Sequence, residues 1–203
     1  MREPNQVLIF DLFGVIAKPQ NQRGRKALEA EANVDSKRFW AAYWDSRPAY
    51  DRGELRGTDY WAVVAERLHV SFSRNRIQRL IDHDIASWSQ VDDQMVELVE
   101  QLAGHHRLAL LSNIPYESGE VFLNRHRWLD LFEVRALSYQ IGYAKPEADA
   151  YAWCLRELGI EGPAARFIDD RRENVEAAEQ AGLVGHLFTS QQELRRTLGM
   201  DLN

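Results

Sequence analysis

Residues 167–188, FIDDRRENVEAAEQAGLVGHLF, hold the pattern that decides the fold. Phe167 and Ile168 form a short apolar run that ends in two acids, Asn174 to Ala181 has helical spacing and stops at Gly182, and Val184 to Phe188 is a second apolar run. The same rhythm recurs outward from this stretch. Val7 to Phe10 and Leu108 to Leu111 are continuous apolar runs, the pattern of strands covered on both faces of a parallel sheet. Met95, Leu98, Val99 and Leu102 keep helical spacing up to Gly104, as do Ala148, Tyr151, Ala152, Leu155 and Leu158 up to Gly159. Ser190 followed by Glu193 marks a capping box that opens a last helix, with Leu194 and Leu198 on its apolar side. Strands alternating with helices predict an α/β fold: a three-layer, Rossmann-like core around a mainly parallel sheet.

One connection is too long for a single crossover helix, the one between Phe10 and Leu108. It shows three helical stripes and no strand pattern: Phe39, Trp40, Tyr43 and Trp44; Trp61, Val64, Ala65 and Leu68; Ile77, Leu80, Ile81 and Ile85. The spacing predicts a helical cap over residues 18–90, inserted into a core made of residues 1–17 and 91–203.

Composition narrows the function. With 203 residues, one domain and a modest insert fit, and about 70% of the extended chain's surface can be buried. A formal net charge of -6 repels polyanions, which argues against nucleic acid as a partner. No apolar run approaches the roughly 20 residues of a membrane span, and Asp11 inside VLIFDLFGVIA, with Glu3 before it, argues against an export signal. The single cysteine, Cys154, sits in a helical pattern as a small buried thiol and suits a reducing, cytoplasmic home. There is no HExxH, no P-loop and no GxGxxG.

Ligands of open parallel sheets bind beyond the carboxyl ends of the strands. The residues at those ends are Asp11, Ser112 with Asn113, and Asp169 with Asp170, and Lys145 enters the same edge from a loop. Three carboxylates beside one lysine need compensation, and a hard divalent cation that keeps waters and takes a substrate phosphate, Mg²⁺, supplies it. Lys145 and Ser112 then serve the other phosphoryl oxygens, and Asp11 is left to attack phosphorus or carbon. The plain alternative is a solvated, salt-bridged turn at Asp169 to Arg172.

Taken in order, FDLFGVI, LLSNIP, YAKPEADAY and FIDDRRENVEAAEQAG resemble the four motifs of the haloacid dehalogenase-like (HAD) hydrolase superfamily, and a helical insert after the first is similar to members with a small α-helical cap. The resemblance implies Asp11 as nucleophile, Ser112 as phosphoryl-binding hydroxyl and Lys145 as charge neutraliser. It implies Mg²⁺ held by Asp11, the Phe13 backbone carbonyl, Asp169 and Asp170, with Asn174 supporting that set from behind. One position departs from the pattern: family phosphatases usually have an acid two residues after the nucleophile, and this chain has Phe13. A general acid contributes about 10²–10⁴ in rate. Some sugar-phosphate phosphatases of the family also lack that acid, and the 2-haloacid dehalogenases have an aromatic residue there.

The paired acids Asp169 and Asp170 favour a Mg²⁺-dependent phosphatase of a small phosphorylated metabolite. A 2-haloacid dehalogenase-type hydrolase, with an ester on Asp11, and a catalytically impaired phosphate-binding or interaction protein are the alternatives. Asn113, Trp44 and Arg47 are candidate substrate contacts, and the cap aromatics, Tyr50 among them, are read either as packing or as a substrate-reading surface. His83, between Asp82 and Asp84, is read as part of a solvated helix face. Oligomeric state is left open.

Overall fold

The computed structural model describes residues 6–200; Glu3 and the ends of the expected core boundaries lie outside them. Five parallel strands, β1 (Val7–Phe10), β2 (Leu108–Ser112), β3 (Val134–Leu137), β4 (Ala165–Asp169) and β5 (Val184–Leu187), form one sheet in the order β3-β2-β1-β4-β5. Alternation along β1 sends Leu8 and Phe10 to one face and Val7 and Ile9 to the other. Both faces are dry, because α5 (Asp93–Ala103), α6 (Tyr116–Arg125) and α10 (Gln191–Thr197) cover the first, and α8 (Ala148–Leu158) and α9 (Arg172–Gln180) cover the second. Cys154 lies in the second layer, its thiol pushed up to about 12 by burial.

The third strand went unread in the sequence. β3 is a sheet edge, half-exposed at Val134 and exposed at Arg135, and so lacks the continuous apolar run of its neighbours. The last helix makes half of the expected capping box: Ser190 Oγ accepts from the Glu193 amide at 3.2 Å, while the Glu193 carboxylate lies 3.0 Å from His186 Nε2.

Between β1 and α5 stand four helices, α1 (Gln22–Ala32), α2 (Ser36–Asp51), α3 (Gly57–Leu68) and α4 (Arg74–Trp88), around their own apolar centre of Leu28, Phe39, Tyr43, Tyr60, Trp61, Val64 and Leu80. Asn21, Asp35 and Ser73 cap α1, α2 and α4 by accepting from amides three residues on. Helix α1 left no apolar stripe in the sequence, because its buried face is Leu28 and Ala32, and Gly24 presses so close to α4 that a Cβ would stand 2.3 Å from that of Ser87. The chain leaves the core at Lys18, whose amide donates to the Gln90 carbonyl at 2.7 Å, so exit and return are paired. The order of strands reverses about β1, with β2 on one side and β4 on the other, which opens a crevice beyond the ends of β1 and β4.

Candidate active site

Register places the chemistry at that crevice. Phe10 pairs with Leu110 on one side and Ile168 on the other, so Asp11 follows at the level of Asp169, and the Asp11 amide donates to the Ile168 carbonyl at 2.9 Å. Lys145, 5% exposed, lies between the two acids, with Nζ 2.7 Å from Asp11 Oδ1 and 2.7 Å from Asp169 Oδ2. Burial, and then the neighbouring Asp169, push the Asp11 carboxyl up to about 7 against the pull of Lys145. Asp11 Oδ1 also accepts from the Leu12 amide at 2.6 Å, which leaves Oδ2 as the oxygen without a hydrogen bond.

Asp169 is fully buried, so the salt-bridged, solvated turn considered for Asp169 to Arg172 does not form. Its Oδ1 accepts from the Arg171 amide at 2.8 Å and Asn174 Nδ2 at 3.1 Å, and its Oδ2 from Lys145 Nζ at 2.7 Å and the same Asn174 nitrogen at 3.0 Å. Those contacts fill its acceptor positions and make it the anchor of Lys145. Asp170 stands at the surface of the crevice, its carboxyl raised by burial and by Asp169. One carboxylate oxygen each of Asp11, Asp169 and Asp170 lie within 4.8 Å of one another. Three acids against one lysine carry a formal excess of two negative charges, and with Asp169 occupied behind them the carboxylates of Asp11 and Asp170 are hard oxygen donors that fit a small divalent cation.

Ser112 ends β2 fully buried, with no hydrogen-bond partner for its hydroxyl among the described residues. Asn113 has a use that its neighbours in sequence do not reveal. Its Nδ2 donates to the Lys145 carbonyl at 2.7 Å and its Oδ1 accepts from the Lys145 amide at 2.8 Å, so it clamps the loop that carries the lysine.

A cavity of about 200 Å³ opens over this floor, lined by Asp11, Asn113, Lys145 and Asp170 from the core and by Trp44, Arg47, Asp51 and Trp88 from the cap. Phe13 is in its wall, the ring packed 5.1 Å from Trp88 and 5.5 Å from Phe122. Trp44, 45% exposed, and Arg47 therefore reach the site, whereas Tyr50 does not: it is buried, with its hydroxyl donating to Glu117 Oε2 at 2.9 Å. Of the solvated face expected around His83, Asp82 is exposed and His83 half-exposed, and Asp84 alone departs: it is 1% exposed and receives the Tyr43 hydroxyl at 2.7 Å and Arg47 Nη1 at 3.0 Å. Cap and core are pinned together at the end of α2. Glu117 Oε1 accepts from the Gly57 amide at 2.7 Å, Ser138 Oγ, at the start of the short α7 (Ser138–Ile141), donates to the Asp51 carbonyl at 2.5 Å, and Arg52 Nη1 donates to Glu147 at 3.0 Å.

A family model of haloacid dehalogenase-like hydrolases matches residues 6–182. The chain belongs to that family. Among solved structures, this hydrolase superposes on an HAD family enzyme of Bacteroides thetaiotaomicron with a TM-score of 0.80 at 19% identity, over 96% of this chain and 98% of the other. That enzyme has also been solved in complex with magnesium and inorganic phosphate. A 2-haloacid dehalogenase of Pseudomonas syringae pv. Tomato matches with a TM-score of 0.61 at 18% identity, over 88% of this chain and 84% of that one. At such identities the likeness is one of fold. The sesquiterpene phosphatase AstK of Aspergillus oryzae is 32% identical over 113 residues, 53% of this hydrolase and 58% of AstK. The hydrolase thus spans little more than half of that relative, and smaller shares of two longer ones. Among the described residues, no helix is long and apolar enough to cross a membrane.

Proposed function

We propose that this hydrolase is a Mg²⁺-dependent phosphatase that takes a small phosphate ester and passes its phosphoryl group through Asp11. The observation that carries the proposal is the charge of the site, three carboxylates gathered around a single lysine. A haloacid carries one negative charge and needs no cation, whereas a phosphate and a divalent ion together satisfy both the acids and the lysine. The phosphatase named among the relatives, and the magnesium and phosphate in the structural neighbour, support the same choice.

Asp11 and Asp170 would hold the ion, with the Phe13 carbonyl as a further ligand and Asp169 fixed behind them by Lys145 and Asn174. When bound, Mg²⁺ supplies Lewis-acid polarisation of the phosphoryl oxygens. Asp11 Oδ2 is the attacking atom, since Oδ1 is held by Lys145 and the Leu12 amide. Lys145 carries the charge that develops on the phosphoryl group, and the unpartnered Ser112 hydroxyl is the donor kept for one of its oxygens. Trp44, Trp88 and Phe13 exclude water on the cap side, while Asn113 keeps Lys145 in line. The cavity is smaller than the roughly 300–1,000 Å³ that encloses a drug-sized ligand, so the body of the substrate is small or stands partly outside.

Phosphate release from alkyl, aryl and acyl phosphates, with Mg²⁺ and with chelator, tests this directly, beside halide release from 2-haloacids. The expected result is phosphate release that chelator abolishes. Halide release without phosphate release would replace the phosphatase with a dehalogenase, the reading that the aromatic Phe13 favours.

Gly14 gives a second test of the metal site. Its φ of +94° is a left-handed conformation, and a Cβ there would stand 2.3 Å from Asp170 Oδ2. Gly14→Ala therefore displaces the Asp170 carboxylate, and the Mg²⁺ concentration for half-maximal activity is expected to rise by about tenfold or more. An unchanged Mg²⁺ titration would remove Asp170 from the ligand set.

A further inference from the structure

Phosphate esters of ordinary alcohols leave behind an oxygen that needs a proton, and Phe13 has none to give. Among the described residues, three carboxyl groups line the cavity, and two of them, Asp11 and Asp170, belong to the nucleophile and metal set. The third is Asp51, at the end of cap helix α2. Lys145 is committed to Asp11 and Asp169, and a guanidinium such as that of Arg47 or Arg171 does not give up its proton.

Asp51 is held from both sides of the cavity. Its Oδ1 accepts from Arg47 Nε at 2.7 Å within the cap, and its backbone carbonyl accepts from Ser138 Oγ of the core. Asp51 Oδ2 makes no hydrogen bond among the described residues and is not among the buried atoms left without a partner. The carboxyl is thus a fixed group with one oxygen free toward the cavity.

The charges around it leave a proton to be placed. Arg47 alone is shared by two carboxylates, the half-buried Asp51 and the buried Asp84, because Arg52, next in the chain, is turned away to Glu54 and Glu147. Asp84 accepts from both the Tyr43 hydroxyl and Arg47 Nη1, whereas Asp51 accepts from Arg47 Nε alone. Two acids and one guanidinium out of water favour binding of a proton, and the acid with fewer donors takes it. Burial does raise the Asp51 carboxyl above its ordinary value, against Arg47, with Asp84 adding to the rise and Arg52 opposing it.

We propose that Asp51 is the general acid that position 13 lacks, donating its proton to the leaving oxygen of the ester. This assignment rests on the phosphatase reading. As Asp11 Oδ2 bonds to phosphorus, the ester P–O bond breaks, its electron pair stays on the leaving oxygen, and the Asp51 proton converts that oxygen to an alcohol. Water then attacks the phosphorus, gives a proton to the Asp51 carboxylate, and releases phosphate as the bond to Asp11 breaks and its electrons return to the carboxylate. Both acids end as they began.

Leaving groups of different basicity separate this chemistry from a structural role. In Asp51→Asn, kcat/KM on alkyl phosphates, which reports the step that expels the leaving oxygen, is expected to fall by about 10²–10⁴-fold, while kcat/KM on p-nitrophenyl phosphate and acetyl phosphate, whose leaving groups need no proton, falls less than about tenfold; kcat, which includes water attack on the phosphorylated Asp11, is expected to fall on all three. Asp84→Asn leaves Asp51 intact but removes the charge that favours its proton, so the alkaline limb of the alkyl phosphate kcat/KM profile should move to lower pH. Equal losses of kcat/KM on all three substrates in a variant with wild-type thermal stability, a change confined to KM, or an alkaline limb that Asp84→Asn does not move, would overturn the assignment. A wild-type protein silent on every phosphate would overturn the phosphatase reading itself, and this one with it.

Discussion

Asp11→Asn is expected to bring phosphate release to background, a loss of at least about four orders of magnitude, on every substrate including those with good leaving groups. An amide cannot form the acyl phosphate, and among the described residues no other carboxylate stands in its place: Asp169 is saturated with hydrogen bonds and Asp170 sits toward the surface. The fold should survive, because Asn occupies the same volume and keeps an oxygen to accept from the Leu12 amide and Lys145 Nζ. Single-turnover phosphate release and a thermal melt check both halves. Residual turnover near the wild-type rate in a folded variant would remove Asp11 as the nucleophile.

Lys145→Met is expected to damage stability as well as activity. The lysine is buried between two carboxylates, and methionine fills its space without its charge, so Asp11 and Asp169 are left unpaired in the interior. Removing one member of a buried ion pair costs about 3–5 kcal/mol. The loss should depend on pH in a fixed direction. The Asp11 carboxyl is already held up to about 7, and without the pull of the lysine it titrates higher still in the folded state. An acid whose folded value is raised favours folding while protonated and loses that contribution as pH rises through the folded value. The deficit is therefore largest at pH 8 and shrinks toward pH 5, and Mg²⁺ should restore part of it at pH 8. Urea denaturation of wild type and variant at both pH values measures this; an equal deficit at both would mean that Lys145 acts by packing alone.

The parts of the site that were legible in the sequence share a local cause. An acid directly after an apolar run, as at Asp11 and Asp169, lies at a strand end whatever the rest of the chain does, and parallel strands bring such ends to one edge. Asn113 was placed at that edge for the same reason, yet its clamp on the Lys145 loop joins residues that the sequence sets apart. Strand β3 and helix α1 were missed because each buries too little apolar surface to leave a periodic signal. Asp84 was read as solvated from its polar neighbours Asp82 and His83, but helix geometry turns it alone inward, to Tyr43 and Arg47.

The sequence by itself determined the layered α/β fold, the helical insertion and which carboxylates stand at the strand ends, since these follow from apolar periodicity within short windows. The tertiary structure alone decided how the charges are shared: that Lys145 lies between Asp11 and Asp169, that one arginine serves Asp51 and Asp84, and that Asp51 faces the cavity from the cap. Electrostatic energy in a dry interior depends on separations of a few ångströms between groups far apart in the chain, and only the packed fold sets those separations.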